Sequence, residues 1–167
     1  MLDRSTLLAL LKAAPPLVEG AIDLAVQVQP NGIDLTVRDI AAYESAGTVD
    51  FSNASRVLAE VTPLPMEEGV TLKAGAYLVT FNEVVHLPKD IAALGRTRST
   101  LLRCGAALHT AVWDAGYSGR SQSLMTVYNP AGLTLRRNAR VLQMVFYRLE
   151  RPVAEGYTGA YQGEGLR

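Results

Sequence analysis

Short runs of alternating apolar and polar residues, each cut off by a glycine or a proline, constrain this chain more than any other feature. Ile33-Asp34-Leu35-Thr36-Val37 alternates directly after the turn signature Gln29-Pro30-Asn31-Gly32. Val70, Leu72 and Ala74 alternate up to Gly75, and Tyr77 to Phe81 is a compact apolar run. A period of two puts successive side chains on opposite faces of a strand. Leu133-Thr134-Leu135, a turn from Arg136 to Ala139, and Arg140 to Leu149 read as a last hairpin-like unit, with Val141, Gln143, Val145 and Tyr147 on one face. Many short strands so punctuated predict a mostly-β domain, a distorted barrel or jelly roll with a few short helices.

The helical signals are few. Asp3 or Ser5 can cap a helix over residues 3–14, with Leu7, Leu8, Leu10 and Leu11 as its apolar face and Pro15-Pro16 as its stop. Pro88 suits the first turn of a short helix through Leu94, ended by Gly95. Ile22-Asp23-Leu24-Ala25-Val26 alternates as a strand does. Residues 38–69 are broken by Gly47, Ser52, Asn53, Pro63 and Pro65, which predicts loops with one or two minor strands.

Composition narrows the function. Hydrophobic residues make up 49% and charged ones 19%, a globular balance. Lys plus Arg and Asp plus Glu both number 16, so no overall positive field exists to hold a nucleic-acid backbone. No apolar run reaches membrane-spanning length, and the N-terminus lacks the basic-then-apolar order of a signal peptide. The one cysteine, Cys104, allows no intrachain disulfide and fits a reducing cytoplasm.

Chemistry concentrates between Arg98 and Gly119. Ser99 and Thr100 precede Leu101-Leu102, and Gly105 closes the segment, so it reads as a helical turn with a hydroxyl N-cap and a glycine C-cap. Free N–H groups at such a start, with Arg98 and Arg103 beside them, suit phosphate oxygens. Asp114 follows, then Gly116, Tyr117 and Gly119. An anion cradle, a carboxylate and a flat ring suit a nucleotide; the same residues also fit a capped turn before an ordinary strand.

Arg98-Ser99-Thr100-Leu101 with Gly105 resembles the second motif of the dUTPase and dCTP deaminase superfamily, and Asp114-Ala115-Gly116-Tyr117-Ser118-Gly119 resembles its third. Gln29 to Leu35 resembles the first and Arg140 to Met144 the fourth. The glycine-rich tail, with Tyr157, Tyr161 and Gln162, resembles the closing C-terminal segment of the deaminase branch. The resemblance implies one dUTPase-like β domain over residues 1–153 and a flexible arm, 154–167, that closes over the active site. It also implies a homotrimer with active sites built between subunits.

The roles it implies are those of a cytoplasmic dUTP diphosphatase that releases dUMP and pyrophosphate. Asp114 would activate the attacking water. Arg98, Ser99, Thr100, Arg103 and Gln143 would hold the phosphates, and Tyr117 would pack on the deoxyribose. The stretch from His109 and Thr110 to Val112 would read uracil, and Tyr157, Tyr161 and Gln162 would close the arm. Mg²⁺ would arrive on the triphosphate, with Asp34 reaching it through water.

Two alternatives stand beside this reading. A zinc deaminase is excluded by residue type, since one cysteine and the two histidines, His86 and His109, form no ligand array. A zinc-free dCTP deaminase, or a bifunctional relative, shares Ser99 and Arg103 but needs a glutamate on the strand after the third motif to shuttle protons. That stretch, Arg120 to Asn129, contains no carboxylate in any register. It also runs about two residues longer than the superfamily's pattern, with Gln122 the nearest approach to the missing acid. A non-catalytic nucleotide sensor on the same fold would have no need of Asp114.

Overall fold

In the computed structural model, which describes residues 1–166, the chain opens with α1 (Arg4–Leu10). Asp3 starts this helix: its carboxylate accepts the Thr6 N–H at 2.8 Å, and Leu7 is the residue it buries. There follow β1 (Val18–Glu19), α2 (Leu24–Gln27), β2 (Val28–Gln29), β3 (Gly32–Tyr43), β4 (Val61–Pro63) and β5 (Val70–Leu72). The chain continues through β6 (Gly75–Phe81), β7 (Val84–His86), β8 (Ile91–Thr97), α3 (Ser99–Arg103) and β9 (Ala106–His109). It ends in β10 (Ser118–Gly119), β11 (Gln122–Val127), β12 (Leu133–Leu135) and β13 (Arg140–Arg148), before the tail.

The main sheet runs β8-β13-β3-β6-β11-β9, with β2 and β4 also paired to β3. Its two edges are fastened to each other. Ala93 and Trp113 exchange backbone hydrogen bonds at 2.9 and 3.0 Å. The Thr97 hydroxyl donates to the Leu108 carbonyl and accepts the Leu108 N–H, both at 2.9 Å. A sheet so tied is a nearly closed barrel with its edge strands protected. Inside it lie Leu35, Val79, Phe81, Met125, Leu142, Met144 and Phe146, all buried. Each contributes about 1.5–3 kcal/mol by leaving water. A small sheet, β1-β7-β10, and the pair β5-β12 flank the barrel.

The mostly-β architecture is as the punctuation predicts, but several elements differ from their local signals. Ile22 to Val26 is no strand: the Asp23 carboxylate accepts the Ala25 and Val26 N–H groups and nucleates α2, leaving Ile22, Leu24 and Val26 exposed. No helix forms between Pro88 and Leu94. Residues 91–97 are β8, paired with β13 from Ile91↔Arg148 to Thr97↔Leu142, and that ladder outweighs the proline's start signal. Gly95 is there for room, since a Cβ would come within 2.8 Å of Thr110 and 2.9 Å of Leu142. Residues 133–149 are not a hairpin either, because β12 pairs with β5 while β13 lies between β3 and β8. Finally, β3 continues past Val37 to Tyr43 through a bulge, taking six residues from the stretch expected to be loop.

Candidate active site

A cavity of about 530 Å³ opens beside the turn that follows β9. Trp113, Asp114 and Tyr117 line it from that turn; Tyr157, Tyr161 and Glu164 line it from the tail. The turn is built locally. The Tyr117 N–H donates to the Asp114 carbonyl at 3.1 Å, and Gly116, at φ +88°, supplies the left-handed backbone this reversal needs. Leu87 grips it from behind, its carbonyl accepting the Gly116 N–H and its N–H donating to the Tyr117 carbonyl. Asp114 is thereby exposed at the cavity mouth, while Tyr117 is 5% exposed in the wall.

The tail lies folded against this turn in its own chain. The Tyr157 N–H donates to the Ala115 carbonyl at 2.9 Å, and a Cβ on Gly116 would collide with Gly156 at 2.6 Å. The Gln162 amide donates to the Gly116 carbonyl at 3.0 Å and accepts the Ser118 N–H at 2.9 Å, so one side chain pairs with both strands of the turn. The Tyr117 and Tyr157 rings meet edge to face, 5.7 Å between centroids. The Tyr117 hydroxyl donates to Glu164 Oε1 at 2.8 Å. Burial raises the pKa of both groups above its ordinary value, and the carboxylate beside the phenol raises Tyr117 further. Tyr161 is stacked under the Arg56 guanidinium at 5.4 Å. Arg167, the last residue of the expected arm, lies outside the described residues.

A second, basic group forms where β3, β8 and β13 meet. Arg98 Nε lies 3.0 Å and Arg140 Nη1 3.2 Å from Asp34 Oδ2. Arg98 also donates to the Arg140 carbonyl at 3.1 Å. Gln143, opposite Asp34 in the β3–β13 ladder, donates to the Asn31 carbonyl at 3.2 Å. Asp34 is 1% exposed, and burial raises its pKa against the pull of the two arginines. The expected water-mediated contact with a cation therefore does not fit this arrangement: the carboxylate is enclosed and its charge already faces two guanidinium groups.

The start of α3 also differs in detail. Arg98, not Ser99 or Thr100, is the N-cap residue, and no side chain caps the helix. The first-turn N–H groups are thus left without a hydroxyl acceptor, with Ser99, Thr100 and Arg103 exposed around them. His109 and Thr110 lie at the end of β9, where His109 Nε2 and the Tyr128 hydroxyl are 3.2 Å apart.

Of the residues singled out in the sequence, Asp114, Tyr117, Tyr157 and Tyr161 share the cavity, with Gln162 fastening its arm. Arg98, Asp34 and Gln143 belong to the basic group, and no lining residue of the cavity comes from it. Glu164, Trp113 and Ser121 line the cavity without having been singled out, and Arg140 joins the basic group. Only Arg140 had a signal, as the first residue of the fourth motif. Arg120 and Ser121 sit between β10 and β11, and no carboxylate stands on β11.

Comparison with known proteins places the chain among relatives. It is 50% identical to the Methanosarcina mazei protein named "Probable deoxyuridine 5'-triphosphate nucleotidohydrolase", over 98% of this chain and 97% of that one. A protein of the same name from Archaeoglobus fulgidus is 47% identical over 90% of this chain and 89% of its own length. Among solved structures, the 2'-deoxycytidine 5'-triphosphate deaminase of Agrobacterium tumefaciens superposes with a TM-score of 0.67 at 25% identity, over 87% of this chain and 45% of that longer one. The model of the dCTP deaminase-like family matches residues 1–149. The chain belongs to the dCTP deaminase-like family.

Proposed function

We propose that this protein is an enzyme that hydrolyses dUTP to dUMP and pyrophosphate. The observation that carries the reading is Asp114, an exposed carboxylate at the mouth of a largely apolar cavity of about 530 Å³, large enough for a nucleoside. The names of the archaeal relatives support it. So does β11: a deaminase of this family type needs a proton-shuttling acid there, and the strand from Gln122 to Val127 offers none.

In this reading Asp114 orients a water for attack on the α-phosphorus and takes its proton. Tyr117 forms the wall against the deoxyribose, and Trp113 with Val112 and Ala111 bounds the base. Arg98, Ser99, Thr100, Arg103 and Gln143 hold the phosphates at the uncapped start of α3, where N–H dipoles and guanidinium groups stabilise developing negative charge. Asp34 serves by aligning Arg98 and Arg140 rather than by meeting a cation.

The donor set suits Mg²⁺ delivered by the substrate. Among the described residues no three His, Cys, Asp or Glu side chains gather into a cage, and Mg²⁺ characteristically keeps phosphate oxygens and waters. Bound to the triphosphate it would neutralise charge on the leaving pyrophosphate.

The cavity and the basic group lie in different parts of one chain, so we further propose a homotrimer in which the basic group of one subunit faces the cavity of the next. We place the reaction in the cytoplasm, which the free thiol of Cys104 suits. The test is direct. The purified protein with Mg²⁺ should release one pyrophosphate per dUTP, and no ammonia from dCTP. Ammonia from dCTP would replace the assignment with deamination.

A further inference from the structure

We propose that Glu164 is a positioning residue: its carboxylate fixes the Tyr117 ring and fastens the C-terminal arm over the cavity, so that closure and sugar selection are one event. The inference deepens the nucleotide reading above and rests on it.

A buried phenol needs a hydrogen-bond partner. Tyr117 finds one in Glu164 Oε1, 2.8 Å from its hydroxyl and 47 residues away in the chain. The barrel wall also brings the Ser121 hydroxyl beside the phenol, but the bond of good geometry is the one to Glu164. The arm therefore supplies the acceptor that fixes the ring.

Glu164 is itself held in place. The Arg120 N–H donates to its carbonyl at 2.7 Å, and Arg120 Nε donates to the Gly165 carbonyl at 3.3 Å. Arg120 in turn is anchored to the barrel through the Phe81 and Asn82 carbonyls. The carboxylate is thus aimed from the backbone on a rigid base.

Gly119 completes the fitting. A Cβ there would stand 2.7 Å from the Tyr117 hydroxyl and 3.2 Å from Glu164 Cγ. What this glycine provides is space, and the space is filled by the Tyr117–Glu164 pair. With Tyr157 meeting it edge to face, the ring is held by two arm residues. When the arm leaves, both supports leave with it, and a ring free to swing no longer excludes a 2′-hydroxyl.

The experiment compares the intact protein with Glu164→Ala and Glu164→Gln. Two readouts are taken on each: the rate of chymotrypsin cleavage after Tyr157 and the ratio of kcat/KM for dUTP to that for UTP. Glu164→Ala should speed cleavage and lower the ratio by on the order of tenfold, the upper end of what one buried hydrogen bond is worth. Glu164→Gln keeps an acceptor oxygen and should restore most of both. Either readout at its wild-type value in Glu164→Ala overturns the proposal. Failure of the nucleotide reading itself looks different, since the unmodified protein would then turn over neither dUTP nor UTP while cleavage after Tyr157 would still report on the arm.

Discussion

At the scale of single residues, the prediction that matters most concerns Asp114. Asparagine has the same shape but cannot take a proton from water. Because Asp114 is exposed and carries none of the fold's burial, Asp114→Asn should melt as the parent does. Its kcat for pyrophosphate release should fall by about 10²–10⁴, the range for a general base, with KM little changed. A near-normal kcat would remove Asp114 from the reaction. Asp114 and Tyr117 were legible in the sequence because their setting is local: the turn, its glycine and the ring lie within four residues. Glu164 was not, because a lone acid in a glycine-rich tail carries no pattern until the fold returns it to Tyr117. Asp34 was half legible. Alternation placed it on a polar face, but β3 is buried from Gly32 to Val37, so that face holds an ion-paired carboxylate rather than a solvated one.

Elements show the same division between local and distant causes. Hydroxyl and carboxylate caps, Asn-Gly turns and period-two runs predicted α1, the β2–β3 turn and β6, since neighbours in sequence decide them. β8 was missed because its identity comes from β13, some fifty residues later. The contacts by which the arm docks were equally hidden, and docking carries a pH dependence. Docking half-buries Glu164 and raises its pKa above the ordinary glutamate value it has when the arm is free. The docked arm therefore binds the proton more tightly, and docking is strongest below the free-arm pKa and weakens as pH rises through the docked value. The groups that face Glu164 are Asp114, Tyr117, Tyr157 and Tyr161 in the cavity and Arg120 beneath the arm. Chymotrypsin cleavage after Tyr157 should accelerate from mildly acidic to neutral pH. In Glu164→Gln, after correction for the protease's own pH profile, it should stay flat. A wild-type slope in that variant would assign the dependence to another group.

For the molecule as a whole, the residues proposed to act together fall into two groups of one chain, and no residue of the basic group lines the cavity. The strand order puts β8, β13 and β3, with Arg98 and Arg140, at one end of the sheet path, and β11 and β9, leading to Asp114, at the other. The edges meet through Thr97 and Ala93, but the cavity is lined only from the turn, the arm and the neighbouring strands and loop. If a second copy supplies the missing basic group, then two differently disabled chains can repair each other. Asp114→Asn retains the residues proposed to bind phosphate. Ser99→Ala with Arg103→Ala retains Asp114 and alters only side chains exposed on α3, so its fold should survive. Each alone should be nearly inactive. Unfolded together and refolded at equal amounts, they assort at random, and about one shared site in four then joins an intact phosphate half to an intact Asp114 half. Activity should recover to roughly that fraction of the parent's, whereas the two proteins refolded separately and then mixed should recover none until subunits exchange. Sites complete within single chains predict no recovery in any mixture, because no chain in it holds both halves, and that result would end the shared-site proposal while leaving the hydrolysis of dUTP untouched.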